Sequence, residues 1–318
     1  MSRIEERPTP VSVPPRSANS ALPRRRGLIV ALSVAAGFLL TVVWSAEFVD
    51  QTIGENVAGT LLGHEASGAA LTGVPAGVLF AFVSGIAGTF TACNIAVFGA
   101  LAPMLEAGGT RRERLARLLR PVGWLAVGMA TVSATYGAIV GIVGTRMPQF
   151  TTTPSTPGTI APRSIQSMIV FGVVGLALLY LGLAALRLVP DPLAALSHRF
   201  PNAPMVVMGA LVGGFLIGRP YGLFRQLFRD AAESGNPLYG AAAFVLQSLG
   251  NIVIVVLLFL LLASAGRLRR WLTADPRRMT VVIAVSLIVV GVFTILYWDV
   301  RLLARREIIP WYPQAPWA

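Results

Sequence analysis

Charge, cysteine and histidine are all scarce in this chain of 318 residues. Charged residues make up 13% of it, about half of the roughly 25% found in soluble domains, so too little charge is present to cover a water-facing surface. The single cysteine, Cys93, excludes an intramolecular disulfide framework. The two histidines, His64 and His198, are isolated and lack the spacing of metal ligands. We therefore expect neither an ordinary soluble enzyme nor a metal site or other cofactor.

What the chain does contain is apolar and basic. Apolar residues make up 55% of it, mean hydropathy is +0.70, and 26 basic against 14 acidic residues give a net charge of +12. A strongly basic chain can indicate nucleic-acid binding. Here every basic residue is arginine, and the arginines fall in short runs between apolar segments, which is typical of the cytoplasmic loops of membrane proteins. The composition predicts a polytopic membrane protein with no nucleic-acid partner.

The N-terminal region combines a polar tail with a membrane anchor. Residues 1–26 are rich in Pro, Ser and Arg and are predicted to be a disordered cytoplasmic tail. The apolar run 27–46 is long enough to cross a bilayer as a helix. A cleaved signal peptide is the alternative, but 43–46 is a poor small-residue cleavage site and the run is longer than a usual signal-peptide core. An uncleaved anchor is therefore favoured.

Six further apolar segments predict an all-α membrane bundle of about seven transmembrane helices. They lie at 75–105, 122–144, 165–186, 205–228, 239–266 and 279–298. The segment 205–228 is the most interrupted, because its apolar part ends at Gly218. The connecting regions are an extracytoplasmic loop at 47–74, an arginine-rich loop at 111–120, a cytoplasmic loop at 187–204 and a C-terminal tail at 299–318.

The distribution of arginine predicts the orientation of these helices. With the N-terminus in the cytoplasm, the inner segments hold 18 arginines and the outer segments hold eight, as the positive-inside rule requires. The loop 47–74 carries four acidic residues and no arginine, which suits the outer face. The C-terminal tail would then lie outside although it carries three arginines. The predicted location is the plasma membrane of a bacterium, with the lipid bilayer as the first partner.

A weak internal repeat relates the segments at 75–186 to those at 205–298. An offset of 126 brings together four pairs of positions: Gly88 and Gly214, Ala92 and Gly218, Cys93 and Arg219, Phe98 and Phe224. Because each copy holds three helices, an odd number, the second copy must have the opposite orientation in the membrane. Inverted three-helix repeats with interrupted helices are a transporter architecture. The sequence thus predicts an N-terminal anchor followed by two inverted three-helix repeats.

Two of these segments resemble a known family. The stretch 85–94 is similar to the first helix of the CcdA/DsbD-type transmembrane domain, the cytochrome c biogenesis and thiol–disulfide electron-transporter family. The stretch 209–220 is similar to its fourth helix, and 231–243 and 249–250 match it in rhythm. The resemblance covers roughly residues 75–298 and implies an electron-transporting helical bundle.

The resemblance also implies a role for Cys93. In that family each of the two helices bears a cysteine beside proline, and the pair passes electrons from cytoplasmic thioredoxin to thiol proteins outside. Cys93 matches the first position, although Ala92 and Asn94 flank it, and Arg219 or Pro220 stands at the second. Because thiol exchange needs one thiolate to attack and a second thiol to resolve the mixed disulfide, the chain either lacks redox function or uses a partner's thiol, such as that of a thioredoxin-like protein.

Arg219 is the sharpest single feature of the interrupted segment. A charge within a span costs about 2.5–3.5 kcal/mol on insertion scales and usually faces a cavity or a partner. Pro220 would free a carbonyl in the preceding turn, which also favours a polar cavity. Alternatively, the helix ends at Gly218, and Arg219, Arg225 and Arg229 anchor it at the interface by snorkelling.

Three other polar positions in apolar segments join this candidate site. Asn94 follows Cys93, and Gln247 and Asn251 are four residues apart on one helix face. They would line the same cavity as Arg219 or form hydrogen bonds between helices. Cys93 itself is either a reactive thiol stabilised by Arg219 or a buried small apolar residue.

Three functions remain open from the sequence. The first is support of cytochrome c maturation or extracytoplasmic thiol reduction, with Cys93 exchanging with a partner thiol. The second is a redox-inactive transporter of a small solute, such as an anion, along a path lined by Asn94, Arg219 and the face of Gln247 and Asn251. The third is an accessory subunit of a membrane complex. A classical enzyme is not expected, and any activity would be thiol–disulfide exchange.

Overall fold

The computed structural model describes residues 22–45, 48, 52, 56–62, 74–87, 111–151, 158–218, 222–264 and 274–317. Its principal helices, in chain order, are α1 (Arg26–Val43), α2 (Asn56–Leu62), α3 (Val74–Ala87), α4 (Arg111–Val143), α5 (Pro162–Ala185), α6 (Ala194–Arg199), α7 (Ala203–Gly218), α8 (Gly222–Glu233), α9 (Pro237–Ser264), α10 (Pro276–Ile295) and α11 (Arg301–Arg305). A π-helical turn at Leu296–Val300 joins α10 to α11.

The described part of the chain is helical, with no strand, and confirms a helical membrane protein. Four of its helical stretches are long and apolar enough to cross a membrane: Arg26–Val43, Leu119–Arg146, Pro162–Ala185 and Arg277–Arg305. A fifth span is counted if α7 and α8 form one bent crossing. Shorter apolar helices lie at Ala76–Ala87 and Pro237–Val253. The prediction of seven spans is thus met for its class of fold and stays a prediction for their number.

Two helices extend beyond the apolar runs that predicted them. The loop predicted at 111–120 is wrong, because α4 already begins at Arg111. This arginine-rich segment is composed largely of Arg, Leu, Ala and Glu, all strong helix formers, so the helix continues past its membrane part. At the other end of the chain, the helical path predicted to stop at residue 298 continues to Arg305 through the π-helical turn.

Local sequence explains where several helices begin. The side chain of Asp275 accepts a hydrogen bond from the Arg277 backbone N–H at 2.9 Å and so caps α10, whose first residue is Pro276. Helix α5 likewise starts at Pro162, a position where the missing N–H of proline costs nothing. Both helices are thereby fixed at the ends that approach the membrane boundary.

Contacts between helices show that their directions alternate along the chain. Gly175 of α5 packs on Gly291 of α10, and Gly182 packs on Ala284, so α5 and α10 are antiparallel. Equivalent successions of contacts make α4 antiparallel to α9 and α7 antiparallel to α5. They make α3 parallel to α9, α4 parallel to α7, and α1 parallel to α10. In chain order α1, α3, α4, α5, α7, α9 and α10 therefore run alternately up and down.

Two glycine pairs let helices cross at backbone contact. Gly85 of α3 meets Gly250 of α9, and Gly128 of α4 meets Gly209 of α7. In all four cases a Cβ on one glycine would overlap the carbonyl oxygen three residues before its partner and approach the N–H one residue after it. The two crossings therefore have the same geometry, and only glycine permits either of them.

The C-terminal region fastens α1 to α10. Arg301 is 1% exposed and donates hydrogen bonds from Nη1 to the carbonyls of Thr41 and Trp44, at 3.2 and 3.0 Å. The guanidinium also lies 4.6 Å from the ring centre of Tyr297. Further along, the Trp317 indole N–H donates to the Val43 carbonyl at 3.2 Å. The N-terminal helix is thus an integral part of the bundle, held at its C-terminal end.

Candidate functional site

The predicted site residues divide into two groups. Cys93, Asn94, Arg219 and Pro220 lie outside the described residues. The remaining candidates, Gln247 and Asn251, lie on α9. Whether the six residues share a cavity therefore stays a prediction.

Gln247 and Asn251 lie where α9 crosses α3. The backbone of both residues contacts Gly85, whose missing side chain allows this approach. Gln247 is buried, and no hydrogen-bond donor in the described part of the structure reaches its Oε1. Its neighbour Ser248 is hydrogen-bonded across the helix interface to Ser133 of α4, at 2.5 Å. This polar face takes part in helix–helix contact, and the buried Gln247 oxygen is its one described acceptor that lacks a donor.

The interrupted helix predicted at 205–228 is present. Helix α7 ends at Gly218, α8 begins at Gly222, and the two axes are bent by 84°. The last carbonyls of a helix have no partner within it. Here the Ile217 carbonyl accepts hydrogen bonds from Nε2 of Gln149 at 3.3 Å and of Gln166 at 3.4 Å. Two side chains from neighbouring segments thus satisfy the helix end at the break.

Helix α8 is amphipathic and turns a charged face to one side. Its buried face is formed by leucine, phenylalanine and alanine side chains: Leu223, Phe224, Leu227, Phe228, Ala231 and Ala232. Arg225 and Arg229 are four residues apart and share the exposed face. The 84° bend therefore turns two arginines away from the direction of α7.

Those two arginines help to line a cavity of about 340 Å³, which we call the arginine cavity. Its cationic side chains are Arg163, Arg225, Arg229, Arg305 and Arg306. Its other polar side chains are Gln149, Ser164 and Ser167. Its apolar side chains are Phe150, Phe224, Phe228, Trp298 and Leu302. They come from the turn after α4, the start of α5, α8, and the region from the π-helical turn to α11.

Helix directions explain why these residues meet. Helix α5 is antiparallel to both α7 and α10, so the beginning of α5 lies beside the ends of the other two. Arg163 therefore approaches Arg305 and Arg306, and the bend brings α8 across the same end of the bundle. The cavity belongs to one end of the bundle, where three described helix termini converge.

The electrostatic character of the arginine cavity is one-sided. None of the described residues that line it is acidic. The charged groups that act most strongly on Arg225 are two further cations, Arg163 and Arg229. Arg225, Arg229 and Arg305 are exposed while Arg163 and Arg306 are half-buried, so the cavity opens on one side. Because arginine stays charged at all physiological pH values, such a cavity attracts anions.

Aromatic side chains form the opposite wall and are held by their neighbours. The Trp298 ring stacks on Phe171 with centroids 4.7 Å apart. Phe228 packs against Phe150 at 5.4 Å and lies in a cluster with Phe224 and Phe244. No described residue of the lining titrates near neutral pH. The arrangement is suited to binding an anion with an apolar part rather than to acid–base catalysis.

The arginine cavity was not foreseen from the sequence, although a signal for it was present. Arg163, Arg225, Arg229, Arg305 and Arg306 are five of the eight arginines that the orientation places on the outer side, against the positive-inside trend. Such an exception indicates a task other than setting topology. Only the fold shows that these five side chains meet.

No protein-family model matches the chain, and neither a curated protein nor a solved structure does.

Proposed function

We propose that the protein is a redox-inactive transporter of a small anionic solute in the bacterial plasma membrane. The observation that carries this proposal is the interrupted helix beside the arginine cavity. Discontinuous helices in a membrane expose backbone groups and polar side chains at substrate sites. The break between α7 and α8 adjoins five arginines that have no acidic neighbour in the described lining.

The glycine crossings support the inverted-repeat architecture that such transporters use. Exchanging α3 with α7 and α4 with α9 converts the crossing of Gly85 and Gly250 into that of Gly209 and Gly128. Helices paired in this way run in opposite directions, as an inverted repeat requires. We propose that α3 to α5 and α7 to α10 form the two repeats, with α1 as an added anchor.

Arginine distribution supports the orientation with a cytoplasmic N-terminus. In that orientation α5 begins and α7 and α10 end on the extracytoplasmic side, so the arginine cavity faces outward. The path would then run from this cavity past Arg219 and Asn94 towards Gln247 and Asn251. An unpartnered buried oxygen on Gln247 supplies one polar group along it.

Uptake by purified protein in liposomes tests the proposal. Radiolabelled inorganic phosphate and sulfate are the probes, and the native chain is compared with Arg219→Leu and Cys93→Ser. We expect uptake above protein-free liposomes, its loss in Arg219→Leu, and its retention in Cys93→Ser. Absence of uptake of either anion by the folded native protein would contradict the proposal.

Thiol–disulfide exchange through Cys93 stays a prediction that the same variants examine. It expects Cys93→Ser to abolish trapping of a mixed disulfide with a thioredoxin-like partner and to impair assembly of c-type cytochromes. If that variant fails in these assays while Arg219→Leu is active, electron transfer replaces transport as the function. Stoichiometric co-purification with other membrane proteins, without an effect of either variant, would instead identify an accessory subunit.

A further inference from the structure

We propose that the arginine cavity binds a phosphate monoester, with the phosphate held by the guanidinium groups and the organic part resting on the aromatic wall. This inference deepens the proposed transport function by naming the class of ligand, and its physiological meaning rests on that function. The binding itself is measurable without transport.

The number of arginines favours a multiply charged oxyanion. Like charges that share a cavity repel one another, and a bound anion relieves that repulsion. Five guanidinium groups with no described acidic lining residue are poorly matched by a monocarboxylate, which brings one negative charge. A phosphate monoester carries about −1.5 to −2 at pH 7 and offers three acceptor oxygens. Its geometry also suits the two-pronged hydrogen bonding of arginine.

The size of the cavity favours an ester over free phosphate. A volume of about 340 Å³ is near the lower end of the roughly 300–1,000 Å³ found for pockets that hold organic ligands. It exceeds many times the roughly 30 Å³ that one water molecule occupies. The remaining space adjoins Trp298, Phe224 and Phe228, whose faces can cover an apolar group.

The position of the arginines favours entry from outside the bundle. Arg225 and Arg229 are exposed on α8, so a ligand meets them before it reaches the half-buried Arg163. Two sources present this chemistry at such a place. One is a soluble phosphate ester and the other is a phosphate headgroup of a lipid in the surrounding leaflet.

Calorimetric titration of the full-length protein in detergent micelles tests the assignment. The probes are phenyl phosphate, inorganic phosphate and benzoate. We expect saturable binding with phenyl phosphate tightest, because it alone uses both the arginines and the aromatic wall. In the double variant Arg225→Gln/Arg229→Gln we expect binding about 100-fold weaker, since each charge-assisted hydrogen bond is worth about tenfold.

The matched control removes two charges at the opposite end of the bundle. Arg24→Gln/Arg25→Gln alters exposed arginines before α1 and should leave binding unchanged. Both double variants are first checked for native helicity and thermal unfolding, so that a loss of binding cannot be a loss of fold. Equal binding by the native chain and the Arg225→Gln/Arg229→Gln variant would overturn the proposal, as would absence of saturable binding of all three probes. The five arginines would then be interfacial anchors only.

Nanodiscs separate the two sources of ligand. Binding of phenyl phosphate is compared in discs of phosphatidylcholine alone and in discs that also contain phosphatidic acid. Weaker binding with phosphatidic acid, lost in the Arg225→Gln/Arg229→Gln variant, supports the site and identifies a lipid headgroup as the competing occupant. Unchanged binding supports a soluble ester. Binding of phenyl phosphate without uptake of any anion would leave this site established while the transport proposal fails.

Discussion

At the scale of single residues, the structure contrasts two ways of placing arginine at the end of a membrane bundle. Arg301 is buried and hydrogen-bonded to the carbonyls of Thr41 and Trp44, at the end of α1. The arginines of the arginine cavity instead share their surroundings with one another. The first arrangement satisfies a helix end and stabilises the fold. The second leaves positive charge for a ligand.

The role of Arg301 predicts a loss of stability on its removal. Arg301→Leu leaves the carbonyls of Thr41 and Trp44 without their donor, and a hydrogen bond to a charged group is worth about 1.5–3 kcal/mol. We expect the free energy of unfolding in detergent to fall by about 2 kcal/mol, with a smaller fall for Arg301→Lys. A single ammonium group cannot reproduce the guanidinium fork.

Arg146 provides the control for this substitution. It is exposed in the turn after α4 and does not line the arginine cavity, so Arg146→Leu should unfold within about 0.5 kcal/mol of the native chain. If Arg301→Leu proves as stable as Arg146→Leu, α1 is held by its apolar contacts with α10 alone.

At the scale of helices, close glycine crossings decide how the central elements pack. Membrane helices gain little from apolar burial because lipid is as apolar as their side chains, so their association depends on fitted contact. A Cβ at Gly128 would meet the Val206 carbonyl, and one at Gly250 would meet that of Phe82. Both obstacles are backbone atoms, which cannot swing aside as the end of a flexible side chain can.

These crossings predict that Gly128→Ala and Gly250→Ala each destabilise the protein by about 1–3 kcal/mol through overpacking. Because the two crossings share one geometry, the two losses should be similar. Gly123→Ala is the control in the same helix as Gly128, since nothing lies within 4 Å of its Cβ position. There alanine should raise stability by about 0.5–1 kcal/mol, because glycine is a poor helix former. Thermal unfolding of the three variants gives the comparison.

The outcome also bears on the repeat. Strong destabilisation by Gly128→Ala with none by Gly250→Ala would show that the two crossings are not equivalent in energy, and the structural support for two related halves would be lost. A stable Gly128→Ala variant would show that α4 and α7 can move apart at little cost.

At the scale of the whole molecule, the sequence allowed the class of fold to be predicted but not the candidate site. Run length and low charge sufficed for a helical membrane protein, because a bilayer requires long apolar helices. The break after Gly218 was visible as well, since the apolar residues end there. The arginine cavity was not, because Arg163, Arg229 and Arg306 lie on separate segments and meet only through the packing of α5, α8 and α11.

The alternating helix directions predict that the two faces of the bundle lie on opposite sides of the membrane. Glu233 ends α8 near the end of the bundle that holds the arginine cavity, and Asp191 follows α5 at the other end. Both side chains are exposed. In a Cys93→Ser background, a membrane-impermeant thiol reagent added to spheroplasts should label Glu233→Cys but should label Asp191→Cys only after permeabilisation.

Each result of this labelling has a definite consequence for the site. The expected pattern puts the arginine cavity where an extracytoplasmic phosphate ester or the outer leaflet can reach it. The reversed pattern would place the cavity in the cytoplasm, so that the eight arginines counted as outer would follow the positive-inside rule and the 18 counted as inner would violate it. Labelling of both positions from outside would contradict an odd number of crossings between residues 191 and 233, and with it the placement of α7 as a span that brings α8 to the outer surface.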